Sequence, residues 1–151
     1  MSQHNTKHTI LVAEDSEEDF ITLTRLFKKS AMPYRLFRCS RGEEILDFLY
    51  QRNGYAAPGT SMTPSLILLD LNLIGLDGRV VLSRIKSDPC LKHIPVVIIT
   101  TSSSAREIER CYQEGASGYL LKPVNLDHYA AALNNLLKYW FETVQLPEAK
   151  V

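Results

Sequence analysis

Ser65-Leu66-Ile67-Leu68-Leu69-Asp70 constrains this chain more than any other stretch: five uncharged residues, four of them large and apolar, run straight into a carboxylate. The run lacks the apolar–polar alternation of a strand with one wet face. It fits a strand covered on both faces, as central strands of parallel sheets are. Asp70 stands where that strand runs out, and in open parallel sheets the binding site lies beyond the carboxyl ends of the strands. Residues 71–78 read as a loop leading into a helix, so Asp70 is a candidate presented acid. A helix cap or a solvated loop residue would explain one such Asp equally well, and the other strand ends must decide.

Residues 9–13 form a second buried-strand candidate, ending in the acid pair Glu14-Asp15. Ser16 with Asp19 three positions on marks a helix start, and Phe20, Leu23, Leu26 and Phe27 supply its inner stripe until Pro33. Residues 34–38 read as a strand and 43–51 as a helix with Ile45, Leu46, Phe48 and Leu49 inward. Residues 52–64, with two Gly and two Pro, make the longest loop. A third helix spans about residues 78–87 and Pro89 closes it. The fourth strand, 94–99, delivers Thr100 and Thr101. Ser104 and Glu107 offer a capping box for a helix with Ile108, Cys111 and Tyr112 inward, and Gly115 suits its left-handed end. A short strand, 118–121, ends in Lys122-Pro123. A last helix spans about 126–141 with the stripe Leu126, Tyr129, Ala130, Leu133, Leu136, Leu137 and Trp140. In Tyr139-Trp140-Phe141 at least one ring must face out, because successive helical positions are about 100° apart. Five strands alternating with five helices predict an α/β fold: a parallel sheet with helices on both faces and right-handed connections. The expected division is a flexible leader over 1–7, one domain over 8–142 and a fraying tail over 143–151.

Charge and cysteine content narrow the function. Lys+Arg and Asp+Glu number 17 each, so the basic footprint of a nucleic-acid binder is absent. No apolar run nears the roughly 20 residues of a membrane span, and the amino terminus has no signal-peptide core. Three widely spaced cysteines form no metal or disulfide pattern, which makes a reducing cytoplasm the simplest setting.

Collected at the strand ends are Glu14, Asp15, Asp70, Thr100 and Lys122. Carboxylates held together raise one another's pKa unless a cation sits among them. An all-oxygen cluster suits a hard divalent ion such as Mg²⁺ or Mn²⁺. A cation, an ammonium and a hydroxyl are the donors a phosphoryl group needs, and phosphoryl transfer is mostly positioning plus charge stabilisation. An Asp so placed can itself be the nucleophile.

This ordered set, with Leu68-Leu69-Asp70-Leu71-Asn72, Asp77-Gly78 and Lys122-Pro123, resembles the receiver domain of two-component response regulators, the chemotaxis-regulator type, over about residues 8–141. The resemblance implies a flavodoxin-like doubly wound (βα)5 fold with strand order 2-1-3-4-5. It implies that Asp70 takes a phosphoryl group from a phosphohistidine of a sensor kinase. Asp15 would bind Mg²⁺, Glu14 would support it, and Asn72 would add its backbone carbonyl beside Asp70. Thr100 and Lys122 would hold the phosphoryl oxygens, and Tyr119 would be an aromatic switch residue. The resemblance further implies a cis Lys122–Pro123 peptide. Ile74, where many receivers have Pro, is expected to loosen its turn slightly. Thr101, where many have a small residue, bears on the dephosphorylation rate.

With ten residues after Phe141 no output domain is expected. The long loop at 52–64, Asp70-Leu71-Asn72-Leu73, Ile85-Lys86-Ser87-Asp88-Pro89, Ile94-Pro95-Val96-Val97-Ile98 with Thr100-Thr101-Ser102, and Tyr139-Trp140 resemble stand-alone regulators paired with bacterial and cyanobacterial phytochromes. That implies a light-sensing histidine kinase as partner and a homodimer through the fourth-helix, fifth-strand and fifth-helix face. The expectation is a signalling switch and not a turnover enzyme. Three alternatives stay open: a phosphorylation-independent interaction module, a phosphohydrolase with an Asp nucleophile, and a flavin-binding sheet protein. Against the second stands Asn72, where such enzymes carry a second acid. Against the third stands the acidic stretch Glu14–Glu18, which would repel phosphate.

Overall fold

The computed structural model describes residues 8–29, 34–55 and 63–147. Its elements alternate as the hydrophobic pattern requires: β1 (His8–Ala13), α1 (Glu17–Lys28), β2 (Tyr34–Cys39), α2 (Gly42–Tyr50), β3 (Leu66–Leu69), α3 (Gly78–Ser87), β4 (Val96–Thr100), α4 (Ala105–Gln113), β5 (Gly118–Leu121) and α5 (Leu126–Lys138), then a π-helical turn, Tyr139–Thr143. All strand pairs are parallel, in the order β2-β1-β3-β4-β5.

Side chains of successive strand residues point to opposite faces, and this divides the core in two. Leu11, Ala13, Ile67, Leu69, Val96 and Ile98 meet Ile45, Leu46 and Phe48 of α2, Val81, Leu82 and Ile85 of α3, and Cys111 of α4. Ile10, Val12, Leu66, Leu68, Val97 and Ile99 meet Leu23 and Phe27 of α1 and Tyr129, Leu133 and Leu137 of α5. β3 is buried at every position, which is why its sequence is apolar without alternation.

α4 ends in a Schellman motif. Gly115, at φ 106°, donates to the Tyr112 carbonyl at 3.0 Å, and Ala116 donates to the Cys111 carbonyl at 2.9 Å. The loop after β3 is pinned by its backbone. Ile74 bridges Arg41, its carbonyl accepts from Gly42 N at 3.2 Å, and Leu76 N donates to the Glu43 carboxylate.

Several expectations need correction. The Lys122–Pro123 peptide is trans, and no cis peptide occurs among the described residues; trans is the lower-energy form of an X–Pro bond by about 0.5–1 kcal/mol. Leu126 is 61% exposed and Tyr112 is 49% exposed, so neither belongs to an inner stripe. Leu126 is the first residue of α5, before the helix closes on the sheet. Cys111 is the one fully buried residue of α4, leaving Tyr112 beyond a narrow apolar face. The fourth strand begins at Val96, because Ile94 N turns back to the Leu91 carbonyl at 3.0 Å. Pro33 and the leader lie outside the described residues, as do 56–62 of the long loop. Of the three consecutive aromatics, Tyr139 is half-exposed and packs edge-on against Trp140, while Phe141 stacks on His8 with centroids 4.2 Å apart.

Candidate functional site

The sheet's hydrogen bonding continues one residue past two strands and fixes the acids there. Asp70 N donates to the Ala13 carbonyl at 3.1 Å, and Glu14 N donates to the Cys39 carbonyl at 3.0 Å. Arg38 Nε donates to the Glu14 carbonyl at 3.1 Å. Glu14 and Asp70 are both buried and Asp15 is half-buried. Each offers a carboxylate oxygen within 4.8 Å of the others.

Lys122 brings the only ammonium to this cluster among the described residues. Its Nζ donates to Glu14 Oε1 at 2.8 Å, Asp19 Oδ2 at 2.9 Å and Asp70 Oδ2 at 3.0 Å. Burial works against the ammonium, but hydrogen bonds to three carboxylates outweigh it and raise its pKa. Burial pushes the Glu14 carboxyl well above the usual carboxylate range; Lys122 opposes that rise and the charge of Asp70 adds to it. The other oxygen of Asp70, Oδ1, accepts from Asn72 N at 2.9 Å. Asn72 itself is exposed, so its contribution here is made by backbone.

Thr100 ends β4, fully buried; its Oγ1 accepts from Ser102 N at 3.4 Å and its carbonyl from Lys122 N at 2.8 Å. Tyr119 is half-buried on β5, and its hydroxyl donates to the Ser102 carbonyl at 2.8 Å. Glu14, Asp15, Asp70 and Lys122 thus form one contact group, while Thr100 and Tyr119 converge on Ser102 beside it. Thr101, after Thr100, is exposed.

Three carboxylates, joined by Asp19, outnumber one ammonium, so the site keeps an excess of negative charge. The donor set is all oxygen. Both facts fit a hard divalent cation held by Glu14, Asp15 and Asp70.

Residues 10–134 match the response regulator receiver domain family. The chain belongs to it. The response regulator Rcp1 of Synechocystis sp. is 37% identical over 147 residues, covering 97% of this chain and 98% of that protein. The crystal structure of the phosphorylated cyanobacterial phytochrome response regulator RcpA shares 35% identity at a TM-score of 0.86, over 93% of this chain and 99% of that one. The Mn(2+)-bound form of response regulator Rcp1 shares 38% identity at a TM-score of 0.84, with the same coverage. This receiver is therefore related to phytochrome response regulators. Phosphorylation on an Asp is general in the family, Mg²⁺ or Mn²⁺ binds receivers at an acidic pocket, and a histidine kinase is the partner in a two-component system. Receivers are not classical turnover enzymes. No helix among the described residues is long and apolar enough to cross a membrane.

Asp19 is the member of the site that sequence reasoning missed, having read it as a capping acid. Its signal was positional: a helix following directly on β1 starts above the strand ends, so the acids of its first turn overhang the site.

Proposed function

We propose that Asp70 is the phosphoacceptor, taking a phosphoryl group from a phosphohistidine of a sensor histidine kinase. The observation that carries this reading is the Asp70 carboxylate itself: buried at a strand end, bonded by Asn72 N on one oxygen and Lys122 Nζ on the other, beside Glu14 and Asp15. An Asp70 oxygen attacks phosphorus, a P–O bond forms, the P–N bond breaks and the imidazole leaves with its electron pair. Lys122 supplies a fixed positive charge for a phosphoryl oxygen, and the Thr100 hydroxyl a neutral donor. Asp15, Glu14, Asp70 and the Asn72 carbonyl would hold Mg²⁺, for which Mn²⁺ could substitute, and the chemistry such an ion would supply is neutralisation of charge on the transferred group. Tyr119, bonded to Ser102, couples that segment to β5.

The donor kinase is a phytochrome. Supporting this are the likeness to RcpA and Rcp1 and the matching length covered. The chain acts as a homodimer through the α4, β5 and α5 face, where Tyr112, Leu121 and Leu126 leave apolar surface in water. Its three free cysteines suit a reducing cytoplasm. The domain responsible spans residues 8–142, with 1–7 as leader and 143–151 as tail.

Intact mass after incubation with acetyl phosphate and Mg²⁺ tests the acceptor. The wild type should gain one phosphoryl group, lost with EDTA, and Asp70→Asn should gain none. An adduct on Asp70→Asn, or none on the wild type in a short assay, overturns the reading.

A further inference from the structure

The first turn of α4 is held by charge more than by apolar packing. A cavity of about 340 Å³ lies between α3 and α4, lined by Arg79, Leu82, Glu107 and Cys111 among others. Ile108, the first large apolar residue of α4, is only half-buried. Across this gap Arg79 Nε, on the first turn of α3, donates to the Glu107 carboxylate on the first turn of α4. That bond holds the Glu107 carboxyl below its usual range, while Glu107 N donates to Ser104 Oγ at 3.3 Å and Ser104 N donates to Ser102 Oγ at 3.4 Å.

The same guanidinium reaches the other way. Its Nη1 donates to both Asp77 oxygens at 3.2 Å and stands 3.5 Å from the Leu71 carbonyl, the residue directly after Asp70. That carbonyl also accepts from Gly78 N at 3.1 Å. On the far side, Ser102 accepts the Tyr119 hydroxyl at its carbonyl. One planar fork therefore touches backbone beside Asp70 and, through the Glu107 carboxylate, the first turn of α4, whose cap Ser104 is bonded to the Ser102 that meets Tyr119. A guanidinium presents its donors in a rigid planar fork, whereas the three donors of an ammonium rotate on a flexible stem.

We propose that Arg79 is a positioning residue that couples Asp70 to α4: it binds the Leu71 carbonyl, Asp77 and Glu107 as one unit, so that a change of charge at Asp70 reaches the first turn of α4 and the Ser102–Tyr119 contact. The proposal rests on Asp70 being the phosphoacceptor. α4, with one buried residue, belongs to the weakly held elements from which moving parts are drawn. The Arg79 side chain is 37% exposed, and an ion pair so open to water adds little to global stability. Its replacement should leave the fold intact.

Amide hydrogen exchange of the full chain, with and without beryllofluoride plus Mg²⁺, tests the coupling. Each segment's response is the ratio of its exchange rates in the two conditions, so a change in basal rate cancels. The wild type should respond at 70–78 and, several-fold, at 102–110. Arg79→Ala and Glu107→Gln should keep the response at 70–78 and lose it at 102–110, and the swap R79E/E107R should restore part of it. A wild-type-sized response at 102–110 in both single variants overturns the proposal, as does a wild type that responds at 70–78 alone. A wild type unresponsive at 70–78 brings down the phosphoacceptor reading first and this proposal with it. Thermal melts identify any variant that fails through folding; Glu107→Gln, which removes charge without removing volume, then decides.

Discussion

Gly78→Ala asks for a methyl group where backbone already lies. A Cβ at Gly78 would stand 2.3 Å from the Asp70 carbonyl oxygen, 2.7 Å from Leu71 Cα and 3.0 Å from the Leu71 carbonyl oxygen. Non-bonded carbon contacts are most favourable at about 3.5–4 Å, so α3 and the Asp70–Leu71 backbone must part by about 1 Å. Neither side can swing away like a flexible side chain. Asp70 N is tied to Ala13, and Gly78 N to the Leu71 carbonyl, each at 3.1 Å. Overpacking of this kind costs about 1–3 kcal/mol, and Ala recovers up to about 1 kcal/mol of helix propensity. The net loss, centred on about 1.5 kcal/mol, should lower Tm by about 3–6 °C in a chain of this length. The loss at Asp70 should be larger, because a displacement of about 1 Å costs on the order of 100-fold in rate. The assay is the initial rate of acetyl-phosphate-dependent mass gain, run well below Tm, with Gly118→Ala beside it. A Cβ at Gly118 would meet only Val97 methyls at 3.7 Å, so that variant should behave as wild type. If Gly78→Ala melts and phosphorylates like wild type, the close approach does not position Asp70 and the reasoning is wrong. A lowered Tm with an unchanged rate would place the strain in α3 alone.

Three further outcomes follow from other parts of the molecule. Lys122→Met leaves Glu14 and Asp70, whose side chains are 6% and 8% exposed, facing each other without their cation; stripping one partner from a buried charge cluster costs about 3–5 kcal/mol. Its Tm in EDTA should fall and Mg²⁺ should restore more of it than the ion adds to wild type, and an unchanged Tm in EDTA would count against the role of Lys122 as counter-charge. Phe27→Ala should lose about 3–5 kcal/mol in urea unfolding, because Phe27 is fully buried and packs edge-on against Tyr34 at 5.5 Å; a loss under about 1 kcal/mol would mean the α1 side of the core is not close-packed. Of three cysteines only exposed Cys90 should alkylate in the native protein, since burial pushes the Cys39 thiol up to about 12 and also raises that of buried Cys111; native labelling at Cys39 by peptide mapping would contradict the burial.

The doubly wound sheet was legible because its signals are local. Leu66 to Leu69 can be apolar throughout only where helices cover both faces, and the structure buries all four. Gly115 marks the end of α4 because a positive φ is needed there. What was not legible depends on where an element sits against others. The stripes assigned to α4 and α5 took in Tyr112 and Leu126 because periodicity gives a direction around the helix and not the width of the surface it meets. The trans peptide before Pro123 was missed for a different reason, as the expectation came from family likeness and not from any feature of Lys122 or its neighbours.

The two capping signals show the same limit at the site itself. Ser16 with Asp19, and Ser104 with Glu107, each match the pattern in which hydroxyl and acid satisfy one another's backbone. Half of each box forms: Ser16 Oγ accepts from Asp19 N at 3.2 Å, and Ser104 Oγ accepts from Glu107 N at 3.3 Å. The acids go elsewhere. Asp19 turns to Lys122, more than a hundred positions along the chain, and Glu107 turns to Arg79. Ser16 N, which Asp19 would have capped, is taken by Glu14 Oε2 at 3.2 Å. At α2, by contrast, Glu44 does reach back, accepting from Arg41 N at 2.8 Å and Ser40 N at 2.9 Å, although no Ser or Thr stands at the cap. A carboxylate's bond to a backbone N–H is already charge-assisted, but a bond to a cation adds the attraction between two full charges, so a cation within reach draws the acid from its local partner. Among the described residues no Lys or Arg side chain pairs with Glu44, and it caps. Local pattern therefore names which acids stand at helix starts, and the tertiary position of two basic residues, Lys122 and Arg79, decides which of them leave their caps.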